Sequence, residues 1–152
     1  MDDQREALNL FLVEVFNEIL RTEELSLTGD GGDLSLRELH LIEEVCRAVD
    51  LERDNRSTAI AAAQRVTAGT LTIAVNQLEK KGYLERRRDD RDKRAVRLYP
   101  TEKARVAEER HARFHAEMVD HILEALTPGE REVFRTALGH VAEFFRQKES
   151  QA

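Results

Sequence analysis

Few residues in this chain can stop a helix. Two prolines and seven glycines are spread over 152 residues, and the stretches between them repeat apolar side chains every three or four positions. Because Pro and Gly are the strongest helix breakers, a chain this poor in them folds mainly into helices rather than into a strand-rich sandwich. From Asp3 to about Leu25, the residues Leu8, Phe11, Leu12, Val15, Phe16, Ile19 and Leu20 share one stripe, the mark of an amphipathic helix. TGDGGD, Thr28 to Asp33, reads as a loop. Ser35 with Glu38 then reads as a capping box opening a helix that buries Leu39, Ile42, Val45 and Cys46. A single cysteine permits no disulfide framework, so Cys46 reads as a small core residue in a reducing compartment. No apolar run approaches the ~18 residues of a membrane span, and MDDQREAL is acidic where a signal peptide is basic. A soluble, cytoplasmic chain with no membrane contact is expected.

After that second helix comes the polar run DLERDNRS, in which Ser57 or Thr58 can cap a short helix, TAIAAAQR. VTAG interrupts, and TLTIAVNQLEKKG forms another helix with Leu71, Val75 and Leu78 on one face and Gly82 closing it. Two short helices across such a turn match helix-turn-helix geometry. The stretch ERRRDDRDKRAVRLYPTEK follows. Its DDRDK has no apolar residue, and AVRLYP alternates Val96 and Leu98 with Arg97 and Tyr99, so it reads as a hairpin with a charged tip. Such a hairpin directly after a helix-turn-helix makes a winged helix, with the helix in the major groove and the wing along the neighbouring backbone or minor groove. The charge map agrees. Although the net charge is −6, residues 53–97 hold 12 Lys/Arg against six Asp/Glu, which concentrates positive potential in one segment.

Thr101 caps a long helix ending near Leu126, and Thr127 with Pro128 and Glu130 opens a last one. Their apolar stripes are too wide for helices standing alone. The expected plan is one protomer over 1–152: a winged helix-turn-helix part over 34–100, with helices of 1–27 and 101–152 forming a two-fold dimerisation domain.

The order of elements, together with DRDKRAVRLYPTEKA and LEKKGYLERR, resembles the MarR family of dimeric transcription regulators. That resemblance implies sequence-specific repression at a palindromic operator. The exposed face and start of the recognition helix present Thr67, Gly69, Thr70, Thr72, Ile73 and Asn76, and in the family the positions of Gly69, Thr70 and Ile73 lie at base edges. Ile73 suits a thymine methyl. No Arg or Lys precedes Lys80 on this helix, which removes the usual guanine reader and favours A·T-rich sites. At the wing tip, Asp92 is expected to hold Arg94 by a charge-assisted bond, leaving Arg91 and Lys93 for phosphates or a narrow minor groove. Arg86, Arg87 and Arg88 alternate in direction, so not all three can face DNA: some are expected at phosphates and others in solvent or with partners inside the protein. Gln64 stands where the family has Leu, which loosens the first helix of the pair. Pro100 replaces a strand Leu and should end the wing early.

RTEELSLTG, LSLRELHLIEEV and RHARFHAEMV resemble the FabT-type branch, the fatty-acid-biosynthesis repressors of Gram-positive bacteria. That likeness implies long-chain acyl-acyl carrier protein as co-repressor, with Leu12, Phe16, Leu39, Ile42, Phe114 and Met118 lining the acyl tunnel and Arg5, Arg21, Arg105 and Arg113 facing the acidic carrier. No cofactor is required on this reading. An alternative effector is zinc: His111 and His115 lie four apart on one helix face, with His40, Glu23, Glu24 and Glu109 nearby, Glu24 and His40 completing the preferred set. A small ligand of another kind is the remaining option. The chain has no HExxH, phosphate loop or nucleophile elbow, which argues against an enzyme. A winged helix used only for protein contacts would not explain the basic wing.

Overall fold

In a computed structural model describing residues 2–28 and 32–152, the chain forms six helices and one two-stranded sheet. These are α1 (Asp2–Thr28), α2 (Leu36–Asp50), α3 (Ser57–Ala63), α4 (Ala68–Lys80), β1 (Leu84–Arg88), β2 (Val96–Pro100), α5 (Glu102–Ala125) and α6 (Pro128–Ser150). Helix α1 runs three residues beyond Leu25, and of the TGDGGD loop residues 29–31 lie outside the described residues. The chain divides into two compact units, residues 1–111 and 112–152.

The first unit is built around α2. Ser35 accepts the Glu38 amide while the Glu38 carboxylate accepts the Ser35 amide, so the expected capping box forms. Leu39, Ile42, Val45 and Cys46 are fully buried, joined by Ile60 of α3, Leu71, Val75 and Leu78 of α4, Leu84 and Leu98 of the hairpin, and Ala104 of α5. Burial pushes the Cys46 thiol up to about 12, so it behaves as a small apolar core group. β1 and β2 pair antiparallel from Leu84↔Pro100 to Arg88↔Val96. The wing therefore does not end early: proline is tolerated at a strand end, where no ladder donor is required, and the Thr101 amide carries the pairing on to the Tyr83 carbonyl at 3.0 Å. An isolated bridge between Arg56 and Arg97 ties β2 to the α2–α3 linker.

In the second unit, Thr127 and Glu130 form the expected capping box with Pro128 at the helix start, and Arg131 donates to the carbonyls of Leu123 and Leu126 at the end of α5. No residue of α6 is buried. Val133, Phe134, Leu138, Phe144 and Phe145 are exposed, as are Leu8, Phe11, Leu12 and Phe16 on α1.

Four aspartates of the first unit hold its elements together. Asp33 accepts from the Tyr83 hydroxyl, Asp50 from Arg105, Asp54 from Arg56, and Asp89 from the Arg91 amide and Arg97. These bonds hold all four carboxyls below their ordinary 3.8, Asp54 at about 2. A depressed folded-state value gives stability that is present above the ordinary value and lost as pH falls through the folded one. Thermal unfolding midpoints are therefore expected to hold level down to about pH 5 and to fall steeply below about pH 4. Calorimetry across that range checks this, and Asp54→Asn should blunt the fall.

Candidate nucleic-acid interface

The turn between α3 and α4 is made by Arg65, which takes the left-handed conformation at φ 56°. It lets the Val66 amide reach the Ala61 carbonyl at 3.0 Å, the helix-ending pattern usually built on glycine. Helix α3 docks through Ile60 and Ala61, while Gln64 is half-buried at its C-cap. Ser57 is the first helical residue rather than the cap, and its hydroxyl donates to the Val96 carbonyl at 3.4 Å. Helix α4 starts two residues earlier than TLTIAVNQLEKK suggests, because Thr67 is its N-cap and accepts the Thr70 amide at 3.2 Å.

On the outer face of α4, all six sequence candidates are exposed, and their hydrogen bonds determine what each can offer a base. The Thr67 hydroxyl donates to Thr70 at 3.0 Å, so the Thr70 hydroxyl keeps its own proton to donate outward. Thr72 donates to the Ala68 carbonyl at 2.9 Å and presents only lone pairs. Gly69 has nothing within 4 Å of the position a Cβ would take, and Ile73 is 67% exposed, an apolar surface suited to a thymine methyl. Asn76 and Thr72 line an open hollow with Ser57, Thr58, Arg86, Arg94 and Val96. At the far end of α4, Gly82 at φ 84° closes the helix as expected, with the Tyr83 amide bonded to the Leu78 carbonyl at 2.8 Å.

The wing separates its cations into two sets. Arg97 donates to Asp89 at 2.8 Å and to Asn55 at 2.7 Å. Asn55, only 6% exposed, donates in turn to the Leu98 carbonyl at 2.9 Å. Arg86 reaches back to Glu79 at 2.8 Å and to the Thr72 carbonyl at 3.3 Å. Arg87 pairs with Glu85 and lies 4.4 Å over the Tyr99 ring, and Arg56 pairs with Asp54. Among the described residues, the side chains of Arg88, Arg91, Lys93 and Arg94 are exposed and make no such bond. The Asp92 carboxylate accepts the Arg94 backbone amide at 3.0 Å rather than its guanidinium, just as Asp89 accepts the Arg91 amide at 2.8 Å. Both carboxylates shape the tip because an aspartate caps the amide two residues on more readily than it captures a long side chain. Asn55, Asp89 and Arg97 were missed as a unit; the only trace in the sequence was one residue of the polar run DLERDNRS and an Arg inside an apolar alternation.

The candidate effector residues fall in both units. Leu39 and Ile42 are core, Leu12 and Phe16 are exposed, and in the second unit Phe114 and Met118 are half-buried, Phe114 edge-on to His115. Of the carrier-facing cations, Arg21 pairs with Glu18 and Arg105 with Asp50. His111 is buried between two carboxylates, Glu43 on Nδ1 and Glu23 on Nε2 at 3.2 Å, with the His40 ring 6.1 Å away. It is Glu23, not Glu24, that turns inward: Glu24 lies one helical step round and is exposed.

The MarR family model matches residues 52–96, from the α2–α3 linker through the wing. An uncharacterized HTH-type transcriptional regulator of Bacillus subtilis, YwhA, is 32% identical over 72 residues, 47% of this chain, and the match spans about half of that relative's length (52%). Streptococcus pneumoniae FabT in complex with DNA superposes with a TM-score of 0.85 at 33% identity, over 94% of this chain and 98% of that one. The chain belongs to the MarR family. Staphylococcus aureus MepR bound to DNA shares the fold, at TM-score 0.68 and 18% identity over 89% of this chain and 96% of that one. This MarR-family protein is thus a DNA-binding transcription regulator, not an enzyme. Among its described residues no helix is long and apolar enough to cross a membrane.

The division between tied and untied cations is testable through salt dependence. Arg94→Ala and Lys93→Ala should each lower duplex affinity and flatten the slope of log affinity against log salt by about 1. Arg87→Ala, which removes a cation already paired, should leave the slope unchanged in the same fluorescence anisotropy titrations.

Proposed function

We propose that this protein is a cytoplasmic, homodimeric repressor of fatty-acid biosynthesis genes that binds a palindromic operator, with long-chain acyl-acyl carrier protein as co-repressor. The observation that carries this reading is the end-to-end similarity to FabT, 33% identical over 94% of the chain. The interface fits the role. A recognition face of hydroxyls, one amide and Ile73, without Lys or Arg before Lys80, favours A·T pairs, and the untied wing cations supply sequence-independent affinity.

The dimer rests on uncovered apolar surface. Phe11 and Phe16 of α1 are 61% and 62% exposed, and Val133 and Phe145 of α6 are 71% and 60% exposed. A second copy that covers these faces brings two recognition helices to the two half-sites of a palindrome. In this reading Leu12, Phe16, Leu39, Ile42, Phe114 and Met118 line the acyl tunnel. Arg5, Arg21, Arg105 and Arg113 are the cations offered to the acidic carrier, Arg21 and Arg105 exchanging their pairs with Glu18 and Asp50 for it.

A zinc-responsive reading draws on one specific arrangement, the imidazole of His111 between Glu23 and Glu43. One ring nitrogen and one carboxylate suit zinc, and the other nitrogen would donate to the second carboxylate, the outer-shell bond that orients a histidine ligand. There the metal would do the work of a proton, joining α1, α2 and α5.

One titration separates the readings: affinity of the purified protein for fatty-acid synthesis promoter DNA, with long-chain acyl-acyl carrier protein in one arm and EDTA in the other. The co-repressor reading expects the acyl carrier to tighten binding by about 5-fold or more and EDTA to do nothing. An inert acyl carrier with loss of binding in EDTA would replace it with the metal reading.

A further inference from the structure

The pose of the recognition helix is set by what holds its ends, and its C-terminal end is held with unusual thoroughness. Three elements converge on Lys81, Gly82 and Tyr83. From the start of α5, the Thr101 hydroxyl donates to the Gly82 carbonyl at 2.6 Å, and Lys103 donates to the Lys81 carbonyl at 2.7 Å while its ammonium lies 4.4 Å over the Tyr83 ring. From the start of α2, both oxygens of Glu38 accept from the Lys81 ammonium at 3.0 Å. From the α1–α2 corner, the Asp33 carbonyl accepts from Lys81 at 2.5 Å, and the Asp33 carboxylate accepts from the Tyr83 hydroxyl at 2.9 Å.

Gly32 of that corner also packs closely against α1. Gly32 comes so near the last turn of α1 that a Cβ would lie 2.2 Å from the Leu27 carbonyl oxygen, an approach only glycine allows. Leu34 is buried two residues on, and Glu38 serves the α2 cap and Lys81 at once. A displacement of the end of α1 therefore carries Gly32 and Asp33 with it, and with Asp33 the exit of α4. Beside the joint lies a cavity of only about 40 Å³, walled by Leu27, Gly32, Leu34 and Tyr83 together with Ala107, Arg110 and His111 of α5.

We propose that Asp33, Lys81 and Tyr83 are positioning residues, a clamp that transmits the orientation of α1 to the recognition helix and so fixes the half-site spacing the dimer accepts. The proposal rests on the dimer-on-palindrome reading above, since α1 carries one of the uncovered apolar faces. It does not require any particular effector. Effectors in such an architecture act by favouring one arrangement over another, and a stiff joint between α1 and α4 gives each arrangement its own spacing.

The test uses the palindrome that the wild-type protein selects from random duplexes, the same palindrome with its half-sites moved apart or together by one base pair, and an isolated half-site. Affinities are measured for wild type, Tyr83→Phe, which removes one hydroxyl, and Lys81→Met, which removes the ammonium. Wild type is expected to prefer the selected spacing by about 10-fold or more, and each variant to lose about 3-fold or more of that preference. Half-site affinity should stay within about 2-fold of wild type. A purely structural role would instead weaken all three duplexes together, and that result overturns the proposal, as does a preference left intact in Tyr83→Phe. Should Lys81→Met fail to fold, Tyr83→Phe alone decides. If wild type shows no spacing preference, the dimer reading fails first and the clamp falls with it; a preference kept in the variants removes the clamp only.

Discussion

Charge repulsion within the middle of the chain is the constraint that the rest of the molecule answers to. Twelve cations in residues 53–97 would drive a small hairpin away from its helices if all were left bare, and the Arg97–Asp89–Asn55 junction, half-buried at its ion pair and buried at Asn55, opposes it. Asp89 neutralises Arg97 where β2 passes the α2–α3 linker, and Asn55 joins the same guanidinium to the Leu98 backbone. Leu98 can then stay fully buried against the α2 core. Removing one partner would leave a half-buried charge unpaired, which costs far more than the pair contributes over its absence.

The same economy of charge explains how the DNA face is divided. Arg56, Arg86, Arg87 and Arg97 are spent on intraprotein bonds, so untied cations are left on the wing, while the recognition helix carries only Lys80 at its far end. The helix keeps groups with fixed polarity: a donor at Thr70, acceptors at Thr72, an apolar patch at Ile73. Affinity and discrimination are thereby carried by different elements, since phosphate contacts position a protein on the duplex and base-edge contacts specify the sequence. Arg86 has a second use. By bonding Glu79 and the Thr72 carbonyl it locks the root of the wing to the helix, so the two DNA-facing elements move as one body.

Local chemistry was legible in the sequence; chain-distant pairing was not. The capping boxes at Ser35 and Thr127 and the closing glycine at Gly82 are short-range patterns, and each forms as expected. The helix stripes of α2 and α4 likewise named their buried residues. Asp92 misled because a carboxylate two residues from an arginine is also two residues from that arginine's amide, and the shorter reach won. Glu23 and Glu24 are neighbours on one helix, so only the rotation of α1 against α2 decides which meets His111. Asn55 finds Arg97 from 42 residues away, and no periodicity encodes that. Pro100 held its place because the ladder there needs no proline donor.

What remains exposed is as informative as what is paired. The first unit closes its core around α2, yet the apolar stripe of α1 stays in solvent, and α6 in the second unit buries none of its residues. Covering a large aliphatic or aromatic side chain contributes about 1.5–3 kcal/mol. Covering faces that carry Phe11, Phe16, Phe144 and Phe145 therefore contributes in the direction of the association proposed above. The ends of α1 connect that association to DNA. One end lies in the uncovered stripe, and the other brings Leu27 against Gly32, next to the aspartate that holds the recognition-helix exit. On the dimer and clamp proposed above, a change in how two copies meet also changes where the recognition helices point.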